Sequence, residues 1–225
     1  MFHHSLMIQL IMTKTSNEVL VMRSDWDLFL FPYKLALDEL KVKLKGQREM
    51  YRLRGEASPI EFVTGRLKPV ESIIQKSKIR KIAMENLEEE MEDIAGLRIM
   101  CPFVEDVQEV VELMRKREDL EIIYEKDYIS HIKESGYRSY HLVCKYPVDV
   151  IDQKYEVLVE IQVRTLAMNF WASIEHSLNY KYKGDYPIEL KRRLQKTAKA
   201  VYQLDEEMSS IRNEIMDISE QEQDH

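Results

Sequence analysis

Residues 155–164, Tyr-Glu-Val-Leu-Val-Glu-Ile-Gln-Val-Arg, decide the fold, because their β-branched and apolar side chains predict a strand. Alternation places one set of side chains on an apolar face, namely Val157, Val159, Ile161 and Val163. The other face is mostly polar and carries Glu156, Glu160, Gln162 and Arg164, with Leu158 among them. A carboxylate within a buried strand needs a compensating partner, so we expect this face to be a functional surface. An ordinary half-exposed antiparallel strand with solvated charges explains the stretch equally well.

The length and composition of the chain indicate a soluble, globular protein. Its 225 residues accommodate one large or two small domains, and 44% of them are hydrophobic while 32% are charged. No apolar run is long enough to span a bilayer, and residues 1–20 lack the features of a signal peptide, which predicts a cytoplasmic protein. Cys101 and Cys144 lie in apolar segments without Cys-x-x-Cys spacing, which predicts buried free thiols rather than a zinc site or a disulfide.

Charged residues are segregated along the chain. The formal net charge of −7 argues against a protein that coats nucleic acids in general, but it allows a local basic pocket. Residues 41–54 and 66–81 are basic, whereas residues 85–93 and 205–224 are acidic. This arrangement favours a small phosphorylated ligand over a membrane surface.

Hydrophobic periodicity predicts long helices at both ends of the chain. Residues 1–21 show no steady periodicity, and we assign no function to them. From Asp25 the pattern is helical, with Pro32 in the first turn, where a proline is tolerated. Further helices are predicted for residues 69–78, 86–91, 104–117, 165–182 and 188–218, and further strands for residues 93–101, 121–127 and 140–146.

The last two predicted helices carry apolar stripes and are separated by a predicted turn at residues 184–187. The stripe of the first is expected to face the core and comprises Ala167, Phe170, Trp171, Ile174, Leu178 and Tyr182. The stripe of the second runs through Leu190, Leu194, Ala198, Val201, Leu204, Met208, Ile211, Ile215 and Ile218. A seam of this kind needs a partner helix, either in the same chain or in another subunit.

Cations cluster after the flexible backbone of Gly65. Arg66 and Lys68 follow it directly, and a ladder with a four-residue step comes next, formed by Ser72, Lys76 and Arg80. Residues four apart share one helical face, so the ladder is suited to bind phosphate groups. An ordinary solvated surface is the alternative.

Two carboxylates and a glycine loop complete the candidate site. Asp93 stands at the entry to a predicted strand and Glu160 lies within another, and such carboxylates are typical ligands of divalent metal ions, although two alone are a weak signal. The loop before Tyr140 presents Tyr137 and His141, with Arg138 between them. An aromatic ring there is suited to stack on a base, but a hydrophobic plug of the turn is an equally good interpretation.

Four stretches in this order resemble the synthetase domain of the RelA/SpoT family, and closely the stand-alone small alarmone synthetases of the RelQ type. They read SPIEFVTGRLKPVESI, EDIAGLRIMC, HIKESGYRSYHLV and VEIQVRTLAMNFWASIEHSLNYKY, and the resemblance covers residues 25–216. The hydrolase domain of the family, with its metal-binding His-Asp pair, has no counterpart, because that dipeptide is absent. The resemblance divides the chain into a leader of unknown role (1–24), a (p)ppGpp synthetase domain (25–186) and a C-terminal helix with an acidic tail (187–225).

The resemblance implies an α+β fold, with a nucleotidyltransferase-like mixed sheet flanked by helices and long helices at both termini. It also implies transfer of the pyrophosphoryl group of ATP to the ribose 3′-hydroxyl of GDP or GTP. The residues implied for ATP are Arg66, Lys68, Ser72, Lys76 and Arg98, with Arg80 as an addition. Asp93 and Glu160 are implied to bind Mg²⁺, and Glu160 to help deprotonate the hydroxyl. Tyr137 is implied to stack on guanine, and those implied to lie near the acceptor are Lys133, His141, Gln162 and Asn169.

Assembly and regulation are also implied by the resemblance. RelQ-type enzymes form homotetramers, with a central cleft that binds an alarmone as an allosteric activator. The matching residues are Lys41, Lys45, Arg48, Glu61, Phe62 and Thr64. Three alternatives are a non-catalytic module that binds nucleotide or RNA on the same fold, a nucleotidyltransferase with another acceptor, and a helical scaffold protein. The two carboxylates argue against the first and the ESGYRSYH stretch against the second, while a scaffold explains only the C-terminal seam.

Overall fold

The computed structural model describes residues 16–151, 153–182 and 186–223. Its helices are α1 (Ser16–Arg54), α2 (Val70–Arg80), a 3₁₀ turn (Met84–Asn86), α3 (Leu87–Glu90), α4 (Val104–Arg115), α5 (Leu166–Lys181) and α6 (Ile188–Gln223). Its strands are β1 (Phe62–Leu67), β2 (Ala95–Cys101), β3 (Glu121–Asp127), β4 (Tyr140–Val150) and β5 (Gln153–Thr165). The predicted α+β class, with long helices at both ends, is confirmed. None of the helices in these ranges is long and apolar enough to cross a membrane.

The strands form one mixed sheet in the order β1-β2-β5-β4-β3. β2 and β5 pair in parallel, whereas the other neighbours are antiparallel. The edge strand β1 was missed by the sequence pattern, which predicted the helix at residues 69–78 and no strand before it. Gly65 and the mostly exposed side chains of β1 weaken the alternation that marks a strand, and pairing with β2 overrides this local signal.

The two faces of β5 differ as its alternation predicts. Val157, Val159, Ile161 and Val163 are buried, while Glu160 and Gln162 on the other face are half-buried. Leu37, Leu40 and Leu44 of α1 and the buried valines of α4 join the apolar face in one hydrophobic core. Both cysteines are buried free thiols, as predicted. On the polar face of residues 158–164, Leu158 and Arg164 are buried, so Glu160 and Gln162 are the side chains there that a ligand can reach.

Helix α1 begins earlier than its periodicity predicts. It starts at Ser16 rather than Asp25, so residues 16–24 are part of this helix. Pro32 consequently lies inside the helix rather than in its first turn, where its ring removes one backbone donor. Leu28 and Phe31 are exposed, whereas Leu37, Leu40 and Leu44 are buried.

The two C-terminal helices bury other residues than their stripes predict. In α5 the buried residues are Met168, Trp171 and Ala172, whereas Phe170, Ile174, Leu178 and Tyr182 are exposed. In α6 the buried residues are Ala198, Asp205 and Ser209, whereas Leu204, Met208, Ile211, Ile215 and Ile218 are exposed. The core-facing stripe of α5 is thus wrong, because α5 and α6 pack through small, aromatic and polar side chains. Residues 184 and 185 of the predicted turn lie outside the described ranges.

Candidate functional site

Strand register brings the predicted site residues to one level of the sheet. Arg66 of β1 pairs with Gly96 of β2, which pairs with Glu160 of β5. One step along, Arg98 of β2 pairs with Gln162 of β5. Gln162 in turn pairs with His141 of β4, so four adjacent strands contribute side chains to the same face.

Asp93 sits just before β2, between two lysine side chains. Its Oδ2 atom accepts hydrogen bonds from the Nζ atoms of Lys68 at 3.0 Å and Lys76 at 2.6 Å. Burial raises the pKa of Asp93, but the bonds to the two lysines outweigh it, and the pKa lies below its ordinary value. The Oδ1 atom is buried and has no hydrogen-bond partner within the described ranges. Asp93 is therefore an ionised carboxylate with one oxygen available to a ligand.

Glu160 is a half-buried carboxylate whose two oxygens have different partners. Oε1 lies 3.2 Å from Nδ1 of His141, and Oε2 accepts a hydrogen bond of 2.8 Å from Nε2 of Gln162. Burial and the negative charge of Asp93 raise its pKa, yet the bonds to His141 and Gln162 leave it below its ordinary value. An ionised carboxylate in this position can accept a proton from a bound hydroxyl.

A chain of hydrogen bonds links Glu160 to Tyr137. The Oη atom of Tyr137 lies 2.8 Å from Nε2 of His141, whose other ring nitrogen faces Glu160. Arg164, which is only 3% exposed, donates to the same Oη at 2.9 Å. Burial raises the pKa of Tyr137, so the phenol keeps its proton at neutral pH. These bonds fix the ring of Tyr137 relative to the carboxylate.

Aromatic rings and a lysine surround Tyr137. Tyr128 packs edge-on against His141 at 5.2 Å and against Tyr137 at 6.1 Å between ring centroids. The Nζ atom of Lys133 lies 4.1 Å from the ring centroid of Tyr128 and 4.9 Å from that of Tyr137. Aromatic rings beside a cation are suited to recognise a nucleobase and its phosphates.

The cations predicted to bind ATP do not all gather at Asp93. Lys68 and Lys76 contact it, Arg66 projects from the same sheet face, and Ser72 and Lys76 are half-buried beside the core positions of α2. Nε of Arg98 lies 3.4 Å from Oε1 of Gln162. Arg80 is the last residue of α2 and is exposed. Its positive charge opposes the rise in the pKa of Tyr124 in β3, which burial and Glu92 cause. Arg80 is therefore not among the cations that contact Asp93, which are Lys68 and Lys76.

Other predicted residues occupy separate places. Asn169 lies in the first turns of α5 with its Oδ1 atom buried and without a partner in the part of the chain described. Arg48 and Glu61 form an ion pair of 3.8 Å between α1 and the approach to β1. Lys41 of α1 lies over Gly65, while Lys45 is exposed. Two further residues of that set, Phe62 and Thr64, pair with Met100 and Arg98, so they lie on the same sheet face as Arg66 and Arg98.

One residue of the site was not singled out from the sequence, and another was placed without a role. Alternation predicted that Arg164 shares the polar face of Glu160, but it gave Arg164 no role in the site. Tyr128 follows β3, and no local signal indicates that its ring reaches His141. Its position depends on the pairing of β3 with β4.

The carboxylates fit a divalent cation that also binds phosphate. Within the described ranges no group of three or more His, Cys, Asp or Glu side chains could hold a metal ion. Mg²⁺ commonly uses one or two carboxylates together with substrate phosphates, and it keeps several waters. The unpartnered Oδ1 of Asp93 and the nearby charge of Glu160 match that pattern rather than a site formed by protein alone.

Comparisons with known proteins identify the family of the chain. Residues 65–185 match the model of the region found in RelA/SpoT proteins. GTP pyrophosphokinase YjbM of Bacillus subtilis is 56% identical over 192 residues, which cover 85% of this chain and 90% of that protein.

Two solved structures of small alarmone synthetase 1 from Bacillus subtilis are also similar. The one bound to its product pppGpp has a TM-score of 0.81 at 56% identity and covers 84% of this chain and 97% of that one. The one bound to AMPCPP has a TM-score of 0.76 at 52% identity and covers 86% and 99%. Because the family region spans more than half of the sequence and these Bacillus subtilis relatives align over at least 90% of their own length, this chain belongs to the RelA/SpoT family, in the group of small alarmone synthetases.

Proposed function

We propose that this chain is a GTP pyrophosphokinase that makes (p)ppGpp from ATP and GDP or GTP. The observation that carries the proposal is the position of Glu160, between a cationic half at Asp93 and a tyrosine half at Tyr137. Relatives with the same fold are named GTP pyrophosphokinase, and one is bound to pppGpp. The cytoplasm, where these nucleotides are abundant, is the compartment we propose.

In the proposed reaction the 3′-hydroxyl oxygen of the acceptor attacks the β-phosphorus of ATP. The bond between that phosphorus and the oxygen bridging it to the α-phosphate breaks, and AMP leaves. Glu160 accepts the hydroxyl proton, and its bond to His141 keeps the carboxylate oriented. Such transfers depend mainly on positioning and charge neutralisation.

The two halves of the site have separate tasks in this proposal. Arg66, Lys68, Lys76 and Arg98 neutralise the phosphate oxygens of ATP, with Ser72 donating a hydroxyl and Arg80 as an outer contact. Tyr137 stacks on guanine, and the acceptor phosphates and ribose are contacted by Lys133, His141, Gln162 and Asn169. Arg164 holds the phenol of Tyr137 in place.

Asp93 and Glu160 are the residues that would hold Mg²⁺. When bound, the ion would withdraw charge from the transferring phosphate oxygens and orient the nucleotide. Lys68 and Lys76, which contact Asp93 in this structure, would then turn towards the phosphates, because their Nζ atoms are donors on long, flexible side chains.

The test is a label-transfer assay. The purified chain is incubated with Mg²⁺, γ-³²P-ATP and, separately, GDP, GTP or an RNA, and the nucleotides are resolved. We expect label on guanosine nucleotides together with AMP release, and no transfer by a Glu160→Gln variant. Tight nucleotide or RNA binding without any transfer would instead support the non-catalytic module.

We also propose that alarmone activates the enzyme through Lys41, Lys45, Arg48, Glu61, Phe62 and Thr64. The ion pair of Arg48 with Glu61 and the contact of Lys41 with Gly65 support a connection between α1 and β1. Added (p)ppGpp should raise the rate, and a Phe62→Ala and Lys45→Ala double variant should abolish that rise while sparing basal turnover. An unchanged response in the double variant would reject this cleft.

A homotetramer is the assembly we propose. The exposed apolar stripes of α5 and α6 support it, since both are of the kind that monomers rarely leave uncovered. Light scattering of the purified chain is expected to give four times the chain mass of 26.8 kDa. A monomeric mass at working concentration would rule this assembly out.

A further inference from the structure

A buried ion pair joins the glycine loop to helix α6. Nη2 of Arg138, next to Tyr137, donates to Oδ2 of Asp205 at 3.0 Å, and the two side chains are 4% and 6% exposed. The hydroxyl of Thr165 donates to the same carboxylate oxygen at 3.0 Å. Thr165 ends β5 and its Oγ1 also caps α5 by accepting from the backbone of Met168. One carboxylate thus connects the loop, the end of the catalytic strand, α5 and α6.

The pair is poorly explained as a device for stability. Taking two charges out of water costs about as much as their attraction returns, and apolar replacements are often neutral or stabilising. Burial indeed raises the pKa of Asp205 above its ordinary value, although Thr165 and Arg138 oppose that shift. The other guanidinium nitrogen of Arg138, Nη1, has no partner in the described ranges. A fixed geometry is the benefit that remains.

The rest of the contact shows what is fixed. Residues 195, 198, 202 and 205 of α6 recur every three or four positions and so form one stripe. Gln195 donates to the backbone oxygen of Glu134 at 2.8 Å, and the ring of Tyr202 lies 4.6 Å from the guanidinium of Arg138. Ala198 approaches Gly136 so closely that a Cβ there would lie 2.3 Å from its own, and Gly136 has a φ of +90°.

The base-stacking residue itself rests on this helix. Tyr137 packs against a small hydrophobic cluster formed by Trp171 and Ala172 of α5 and Ala198 of α6. Nε1 of Trp171 donates to the hydroxyl of Thr197 at 3.2 Å, which ties α5 to α6 beside the loop. By contrast, the hydrogen bonds of Asp93 are made by Lys68 and Lys76 and involve no residue of α6 in the described ranges.

We propose that α6 positions the acceptor half of the site, with Arg138 and Asp205 as positioning residues that hold Tyr137 where it stacks on the guanine base. This inference rests on the proposed function. Neither residue contacts the reacting atoms; both act through the loop of residues 133–139. The specific consequence is that loss of the pair weakens acceptor binding and leaves ATP binding unchanged.

The test compares Asp205→Ala, Asp205→Asn and Arg138→Ala with the double variant of both alanine changes. Loss of an outer partner that orients a metal ligand typically costs about 10–100-fold in metal affinity or activity, and by analogy we expect the KM for GDP to rise in that range for Asp205→Ala. The KM for ATP should stay within about twofold. Asp205→Asn keeps the shape and one acceptor oxygen, so it should fold and show a smaller rise. The double variant should be no worse than Asp205→Ala, because it removes the stranded guanidinium.

Arg212→Ala is the matched control. Arg212 also ties α6 to the domain, through an ion pair of 2.8 Å with Asp106 of α4, and it lies away from the loop. The Arg212→Ala variant should have a lower melting temperature than the wild type and an unchanged KM for GDP. An equal rise of both KM values in the Asp205 variants, or the same GDP effect in Arg212→Ala, would overturn the inference.

Direct binding separates this inference from the proposed function. Calorimetric titration of GDP and of a non-hydrolysable ATP analogue into wild type and Asp205→Asn needs no turnover. Weaker GDP binding with unchanged analogue binding supports the positioning role even if no product forms. Unchanged GDP binding overturns the role even if the wild type is an active synthetase.

Discussion

The two halves of the site are built in different ways. The half that we propose binds ATP is a set of cations around Asp93, on side chains that are partly exposed and long: Lys68 and Lys76 are 17% and 24% exposed. The half that we propose binds the acceptor is a packed group of rings and buried donors, in which Arg164 and Tyr137 share a hydrogen bond. Charge organises the first half and shape organises the second.

This difference matches what we propose that each half recognises. Phosphate groups carry charge that flexible lysines can follow, so that half needs few fixed contacts. A guanine base offers a flat ring, and stacking on it requires a ring held in one orientation. Replacing a side chain of the first half should therefore weaken the binding of ATP, and replacing one of the second half should weaken the binding of the acceptor. Only a residue between the two halves should affect the use of both substrates.

Glu160 between the halves is expected to give the largest effect. Glu160→Gln keeps the size of the side chain but cannot accept the hydroxyl proton or hold the cation. A single preorganised electrostatic contact is worth about 10²–10³ in rate, so kcat should fall at least that far. Stopped assays with both substrates saturating measure it, and circular dichroism checks the fold. Product formation at the wild-type rate would exclude Glu160 as the base.

Lys76 tests the ATP half. Lys76→Met should raise the KM for ATP by about 10–150-fold, in line with a hydrogen bond to a charged group of about 1.5–3 kcal/mol. Asp93 keeps Lys68 as a partner, so the fold should persist. Lys78→Met is the control, because Lys78 is exposed on the same helix. A rise in the KM for GDP of the same size would show that the halves are not separate.

Tyr137 tests the acceptor half. Base stacking on an aromatic side chain is worth about 1–3 kcal/mol, so Tyr137→Ala should raise the KM for GDP by about 5–150-fold. Tyr137→Phe keeps the ring and loses the bonds to His141 and Arg164, so its effect should be smaller. Initial rates over a range of GDP concentrations distinguish the two. Equal effects of the two variants would mean that the hydroxyl, rather than stacking, matters.

The smallest effect is a pH dependence of stability at Asp93. The pKa of Asp93 is lowered in the folded state, so its ionised carboxylate stabilises the fold at pH values above the ordinary aspartate pKa of about 3.9. This stabilisation is lost as the pH falls through the pKa of the folded state. The difference in melting temperature between wild type and Asp93→Asn should thus be constant from about pH 7 to 5 and should narrow below about pH 4. Asp38→Asn should show a smaller difference, because Asp38 and its lysines are more exposed. A difference that widens on acidification would contradict the lowered pKa.

Much of the site could be predicted because strands alternate. The polar register of β5 predicted that Glu160, Gln162 and Arg164 share a face, and the structure confirms this. Edge strand β1 was missed because pairing with β2, rather than its own alternation, makes it a strand. The prediction of which side of α5 faces the core was wrong, because small and polar residues, which carry no hydrophobic signal, form much of its contact with α6.

The sequence by itself determined the fold class, the polar face of β5 and the family, since these depend on periodicity and on motifs in fixed order. Only the tertiary structure decided which side chains meet across elements. Asp205 lies 67 residues from Arg138 in the chain, and Tyr128 reaches His141 only through strand pairing. Contacts of this kind depend on the relative placement of packed helices and strands, and local sequence patterns do not encode that placement.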